Sequence, residues 1–143
     1  MKILVGLLGL TVGLALPLFG QEPQAVSADV RSQVEAVFVK FQDAYNARDA
    51  EGIASTMTQD AVEMRSWAGL AIGKQAVVGR FLQDFKEGPG QMVNTILQMY
   101  PFGTDGVCVI AESHVGVLKA QTMTLYVRSV GVWKSKMSYV RGP

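Results

Sequence analysis

Glu63, Arg65 and Trp67 stand two residues apart in Ala61 to Trp67, a stretch that alternates in the manner of a β-strand. Alternation sends successive side chains to opposite faces, so these three share one face and Val62 and Met64 take the other. A carboxylate beside a guanidinium on such a face offers two things: Glu63 as a general base and Arg65 as a clamp for an anion or a carbonyl. The pairing also works against the base, because an adjacent Arg keeps a carboxylate ionised and lowers its pKa. The plainer alternative is an ordinary ion pair at a pocket mouth or in solvent, since structural pairs perturb such residues too. Tyr45, upstream on a helix, could join them; it equally continues an apolar stripe, with its hydroxyl at the edge of the core.

The other reactive side chains offer less. His114 is the single histidine and Cys108 the single cysteine. Both fall in the clearest strand, Val107 to Leu118, where Val107, Val109, Ala111, Ser113, Val115 and Val117 make an almost wholly apolar face. That face belongs to the core, which sends Glu112 and His114 outward as surface or dimer contacts. A catalytic histidine or a histidine-based metal site is therefore weakly supported, and neither a metal nor a cofactor enters the expected site. One cysteine permits no intramolecular disulfide. Its apolar neighbours, with no basic residue close in sequence, make Cys108 a buried packing thiol and not a nucleophile. Thirteen basic residues against twelve acidic give a net charge of +1 with no like-charge run. A nucleic-acid groove needs clustered cations, and Lys134, Lys136 and Arg141 near the C-terminus read as a solvated edge.

The elements that must position these residues are legible from hydrophobic spacing. Val30, Val34, Val37, Phe38, Phe41 and Tyr45 recur every three or four residues, which makes one face of an amphipathic helix ending near Asn46 to Arg48. Asp29 is its expected N-cap. Asp49 caps a second, short helix to about Met57. Gly69 and Gly73 bracket a turn, and Lys74 to Lys86 carries Val77, Val78, Phe81, Leu82 and Phe85 along a third helical stripe. Glu87-Gly88-Pro89-Gly90 stops it. Strands follow: Gln91 to Tyr100, Val107 to Leu118, then Thr122 to Arg128 and Val132 to Arg141 as a hairpin around Gly131. Helices first and strands after give the α+β class, with helices packed on one face of an antiparallel sheet.

The 143 residues, 49% of them hydrophobic, suggest one domain. Lys2 precedes an uncharged run, Ile3 to Phe19, which Pro17 breaks near its end and small residues follow. That order is the pattern of a secretory signal, with cleavage after Gly20 or after Ala28. Residues 1–28 are therefore expected to be a signal peptide and 29–143 the domain. The apolar run sits at the short limit for spanning a bilayer. The mature chain is expected in the periplasm or outside the cell, without stable membrane association.

Several stretches, each weak alone, carry a resemblance by their order and spacing. They are Phe41-Gln-Asp-Ala-Tyr-Asn-Ala-Arg-Asp49, Gly52-Ile53-Ala54, Gln59-Asp60-Ala61-Val62, Gly73-Lys-Gln-Ala-Val77 and Gly131-Val-Trp-Lys134. From about Val30 to Tyr139 the chain resembles the nuclear transport factor 2-like superfamily, in particular its SnoaL-like bacterial branch. The resemblance implies a cone, in which a strongly curved antiparallel sheet wraps the helices and leaves a pocket, and it implies dimerisation through the outer sheet face. Fold alone does not imply chemistry. Ketosteroid isomerases of this fold use a tyrosine on the first helix, an aspartate on the first strand and a later buried aspartate. Matched without gaps, those positions fall on Phe41, Arg65 and, less securely, Leu125, none of which has the required chemistry. Epoxide hydrolases of the fold need an Asp-Arg-Asp set, which the strand residues Glu63 and Glu112 and the turn residue Asp105 do not assemble.

The family match places Phe41 at the expected pocket, and Tyr45 and Trp67 join it from the helix stripe and strand face described above. Trp133, Met137 and Tyr139 share strand parity, and with Trp67 they make apolar walls there, or simply core packing. The expected function is binding of a small hydrophobic molecule in an apolar pocket. The alternative is a metal-free isomerase, lyase or hydrolase using Glu63 and Arg65 in the same pocket.

Overall fold

A computed structural model describes residues 25–142. The expected signal sequence lies almost wholly outside the described residues. Three helices come early: α1 (Ala28–Asn46), α2 (Ala50–Ser55) and α3 (Lys74–Glu87). Two strands, β1 (Met57–Arg65) and β2 (Gly69–Ile72), separate α2 from α3. Four more complete the chain: β3 (Met92–Pro101), β4 (Gly106–Val115), β5 (Leu118–Ser129) and β6 (Val132–Arg141). The strands form one sheet in the order β2-β1-β6-β5-β4-β3. Every neighbouring pair is antiparallel except β1 and β6, which run parallel and join the first half of the chain to its last strand. The fold is the expected α+β cone.

Helix α1 is capped two residues earlier than expected. Ser27, not Asp29, is its cap: the Ser27 hydroxyl accepts from Val30 N (3.3 Å) and its carbonyl from Arg31 N (2.9 Å). Asp49 caps α2 as expected, accepting from Gly52 N at 2.9 Å. The end of α1 is tied to the edge strand by amide side chains. Asn46 donates to Met92 O (2.9 Å) and accepts from Met92 N (2.6 Å), and Gln42 accepts from Asn94 N (2.7 Å). These bonds satisfy backbone groups that an edge strand would otherwise leave open.

Beyond β1, which spans Met57–Arg65 and not Ala61 to Trp67 and so leaves Trp67 in the turn after it, three strand expectations need correction. The turn between Gly69 and Gly73 contains β2, which pairs with β1. The run Val107 to Leu118 is two strands: β4 ends at Val115, and Gly116, at φ 58°, turns the chain into β5. Third, β6 does not keep one parity. Tyr126 pairs with Ser135 and Leu125 with Met137, so Lys136 is an extra, unpaired residue. A bulge of this kind bends its strand and reverses which face later residues occupy. Another register shift falls between Ile96 and Gln98 of β3. Bulges on β6 and β3 help curve the sheet.

The core is in two parts. One joins α1, α2 and α3 to β1 through Tyr45, Ile53, Met57, Val77 and Phe81. The other packs the N-terminal half of α1, through Val34 and Phe38, onto Val107, Val109, Tyr126 and Trp133 of the sheet. Members of both parts line the space between them.

Candidate functional site

That space is a cavity of about 430 Å³. Its helical wall is aromatic: Phe38, Phe41 and Tyr45 from α1, and Phe81 from α3. Phe81 meets Phe41 and Tyr45 edge to face, at centroid distances of 5.5 and 6.1 Å. The opposite wall is the concave sheet face, where Thr122, Thr124, Tyr126, Ser135, Ser138 and Val140 mix hydroxyls with apolar surface. The lining residues Trp67, Glu87 and Leu118 are exposed and mark the opening.

Glu63 and Arg65 lie inside this cavity, 3% and 7% exposed, on the face that strand alternation assigns them. Arg65 Nε donates to Glu63 Oε1 at 2.7 Å. Its Nη1 lies 2.8 Å from Asp84 Oδ2 and 2.9 Å from Oδ1. The guanidinium is also stacked, 5.1 Å from the Phe81 ring centroid and 5.8 Å from that of Trp67. A planar cation held by two carboxylates and two rings has a fixed orientation. Arg80 closes the cluster from behind: it reaches Glu63 Oε1 at 3.7 Å and donates to the carbonyls of Ala68 and Gly69 at 3.1 and 3.0 Å.

Burial pushes the Glu63 carboxyl above its usual pKa, and the Arg65 and Arg80 guanidiniums offset only part of that rise. The lowered value expected from the adjacent Arg is thus corrected: desolvation outweighs the ion pair at this depth. Tyr45 is raised as well, by burial first and then by the Asp84 carboxylate.

Asp84 is the residue that strand-by-strand reasoning omits. It belongs to α3, one turn after Phe81 and beside Phe85, so helical spacing puts it at the border of the apolar stripe. With it the chain assembles a carboxylate–arginine–carboxylate set, Glu63–Arg65–Asp84, which the strand residues alone do not supply.

Phe41, Tyr45 and Trp67 line the cavity, but Trp133, Met137 and Tyr139 do not. Trp133 is packed in the second core cluster, with Nε1 donating to Gln33 Oε1 at 2.9 Å. Beyond the Lys136 bulge, Met137 (52% exposed) and Tyr139 point to the convex outer face, and Ser138 and Val140 take the cavity positions. The wall is therefore more polar than expected. Leu125, on the parity opposite to Thr124 and Tyr126, is also absent from the lining. His114 and Glu112 are off the cavity and bonded to each other at 2.7 Å. Cys108 is only half-buried, on the parity opposite to the β4 core face, and burial raises its thiol pKa. No group of three or more metal-ligating side chains gathers among the described residues.

No family model matches the sequence, and no curated protein matches it. Solved structures do match in shape. A protein of unknown function from Pseudomonas putida, described as nuclear transport factor 2-like, aligns with a TM-score of 0.68 at 19% identity over 83% of this chain and 90% of its own. The chain has the nuclear transport factor 2-like fold. A ketosteroid isomerase-like protein from Erwinia carotovora atroseptica aligns at TM-score 0.66 and 21% identity, over 78% of this chain and 94% of that one. A type 2 hexachlorocyclohexane dehydrochlorinase, LinA, aligns at 0.67 and 16%, over 80% and 85%. On this nuclear transport factor 2-like scaffold, Phe41 and Arg65 occupy the cavity where the isomerase match would require a tyrosine and a base.

Proposed function

We propose that the chain is a binding domain for a small, largely apolar molecule held in this cavity. The observation that carries it is the Glu63–Arg65–Asp84 cluster, its first two members buried, opening onto a space of about 430 Å³ with an aromatic helical wall and a sheet wall of mixed hydroxyls and apolar groups. Ligand sites have this volume range and this mixture of apolar wall and few polar groups. A ligand that binds only the folded state raises the melting temperature with its excess over Kd. The test is thermal unfolding of the domain against a panel of small cyclic apolar molecules, beside the cavity-filling variant Ser138→Phe. Shifts of several degrees in the native chain and none in Ser138→Phe are expected; equal shifts in both would defeat the proposal.

A second reading, a metal-free isomerase, lyase or hydrolase, draws support from Glu63 itself. It is a buried carboxyl of raised pKa whose Oε2 has no hydrogen-bond partner among the described residues. Such a group suits proton abstraction. If it acts so, hydrogens next to the carbonyl of a bound cyclic ketone exchange in deuterated water, and Glu63→Gln stops the exchange.

We also propose that the chain is exported and pairs with a second copy through its convex sheet face. The leader pattern supports export. The pairing draws on two cross-strand rows of that face, Met64–Tyr139–Met123–Ile110 and Val62–Met137–Leu125–Cys108, which carry no charge across four strands. Two copies of one such patch can cover each other about a two-fold axis.

A further inference from the structure

Of the sheet-wall hydroxyls, Ser135 donates to Thr56 O at 3.2 Å and Ser113 to Asn94 Oδ1 at 2.5 Å, but others make no hydrogen bond among the described residues. Tyr126 is 4% exposed and Thr124 8%, yet neither hydroxyl has a hydrogen-bond partner among the described residues. Neither is sealed off, for Thr58 Oγ1 is the one unpartnered side-chain atom walled in completely among the described residues. Both residues line the cavity, so their hydroxyls face its space. Buried hydroxyls left without a partner are costly, and proteins rarely keep two together unless something else satisfies them. Strand register groups them further. Glu63, Ser138 and Thr124 form one cross-strand row over β1, β6 and β5, and Tyr126 is the next residue of β5 on the same face. Ser138, also on the lining, has no hydrogen bond from its hydroxyl either.

The charges tell what kind of group these hydroxyls meet. Arg65 is already shared between Glu63 and Asp84, and Arg80 stands behind Glu63. Within this cluster two cations balance two anions, and the other charged lining residues, Glu87 and Lys119, are exposed at the rim, with Lys119 Nζ 3.4 Å from Glu112. An incoming carboxylate or phosphate would be desolvated beside Glu63 and Asp84 without a free counter-ion. A neutral oxygen meets no such penalty and can accept from, or donate to, a hydroxyl. Opposite the hydroxyls stand the rings of Phe38, Phe41 and Phe81, which favour a flat apolar body.

We infer that Thr124, Tyr126 and Ser138 form a subsite for an uncharged oxygen, and that the ligand is a neutral ring compound bearing a hydroxyl or carbonyl group. This rests on the binding role proposed above and names its ligand class. Burial keeps the Tyr126 phenol protonated far above neutrality, so it remains available as a donor.

Three probes of one shape separate the possibilities: naphthalene, 2-naphthol and 2-naphthoate, titrated calorimetrically into the native chain near neutral pH. The expected order is 2-naphthol tightest, by about three- to tenfold over naphthalene, the usual worth of one or two neutral hydrogen bonds. 2-Naphthoate is expected to bind more weakly than 2-naphthol. The triple change Thr124→Val, Tyr126→Phe and Ser138→Ala should bring 2-naphthol down to naphthalene's affinity while naphthalene still binds, which also reports that the cavity persists. Thr124→Ser alone should keep the preference. Equal binding of naphthalene and 2-naphthol to the native chain overturns the subsite, as does a preference that survives the triple change. Tighter binding of 2-naphthoate overturns the charge argument. If none of the three binds the native chain, the cavity is no ligand site and the binding role falls with the subsite.

Discussion

Glu63 shows how depth decides the behaviour of a carboxyl that the sequence presents as an ordinary ion-pair partner. Its folded pKa is raised by burial, whereas in the unfolded chain the group keeps its ordinary value. Between those two values the folded state holds more protons than the unfolded one, so stability falls as pH rises through the window. Below the ordinary carboxyl value both states are protonated and the slope vanishes. Glu63→Gln removes the titration. Urea unfolding of both chains from about pH 4 to 7 should show the native chain losing stability relative to Glu63→Gln as pH rises. The opposite slope would mean that Arg65 and Arg80 outweigh burial. The pairing of Glu63 with Arg65 was legible, because both lie on one nine-residue strand where parity is local. Asp84 was not, because its approach to Arg65 depends on how α3 crosses β1. The unpartnered hydroxyls of Thr124 and Tyr126 were not legible either, since an absence of partners exists only in three dimensions.

Among the elements, helices were read most closely. The stripes on α1 and α3 fixed their extents to within a residue or two, and only the cap of α1 shifted, from Asp29 to Ser27. That shift bears on export. Val26 packs against the second core cluster and Ser27 caps the helix, so a cut after Ala28 would discard both. A cut after Gly20 keeps them, and N-terminal sequencing of the processed chain should begin at Gln21. Ser27→Ala should cost about 1 kcal/mol in urea unfolding, the typical worth of a cap. Strands were harder. The short strand β2 escapes notice because Leu70 and Ile72, both apolar, are exposed, so burial leaves little pattern in it. The Lys136 bulge has no local signature: parity read through it puts Met137 and Tyr139 inside, and only the pairing with β5 shows that they are outside.

At the scale of the molecule, that same reversal places two side chains of β6 on a convex face that already carries Met64, Met123, Ile110, Val62 and Leu125. Met123 and Met137 are half exposed there, in adjacent cross-strand rows. Sedimentation of the native domain is expected to give a dimer. Met123→Lys with Met137→Lys should give a monomer with its cavity intact, since neither side chain lines that cavity. A native chain that sediments as a monomer would remove the pairing. The position of β6 has a further consequence, for the order of events in biosynthesis. Strand β6 lies between β1 and β5, and among the described residues its parallel pairing with β1 is the only link within the sheet from β1 and β2 to the other strands. Until residues 132–141 have been made, the sheet exists only as two fragments and the cavity lacks its Ser138 and Val140 wall. The nascent chain thus cannot close its fold before β6 has been made. The export proposed above would gain from this arrangement, because a topology that postpones folding until β6 leaves the earlier segments free to be threaded unfolded through a membrane pore.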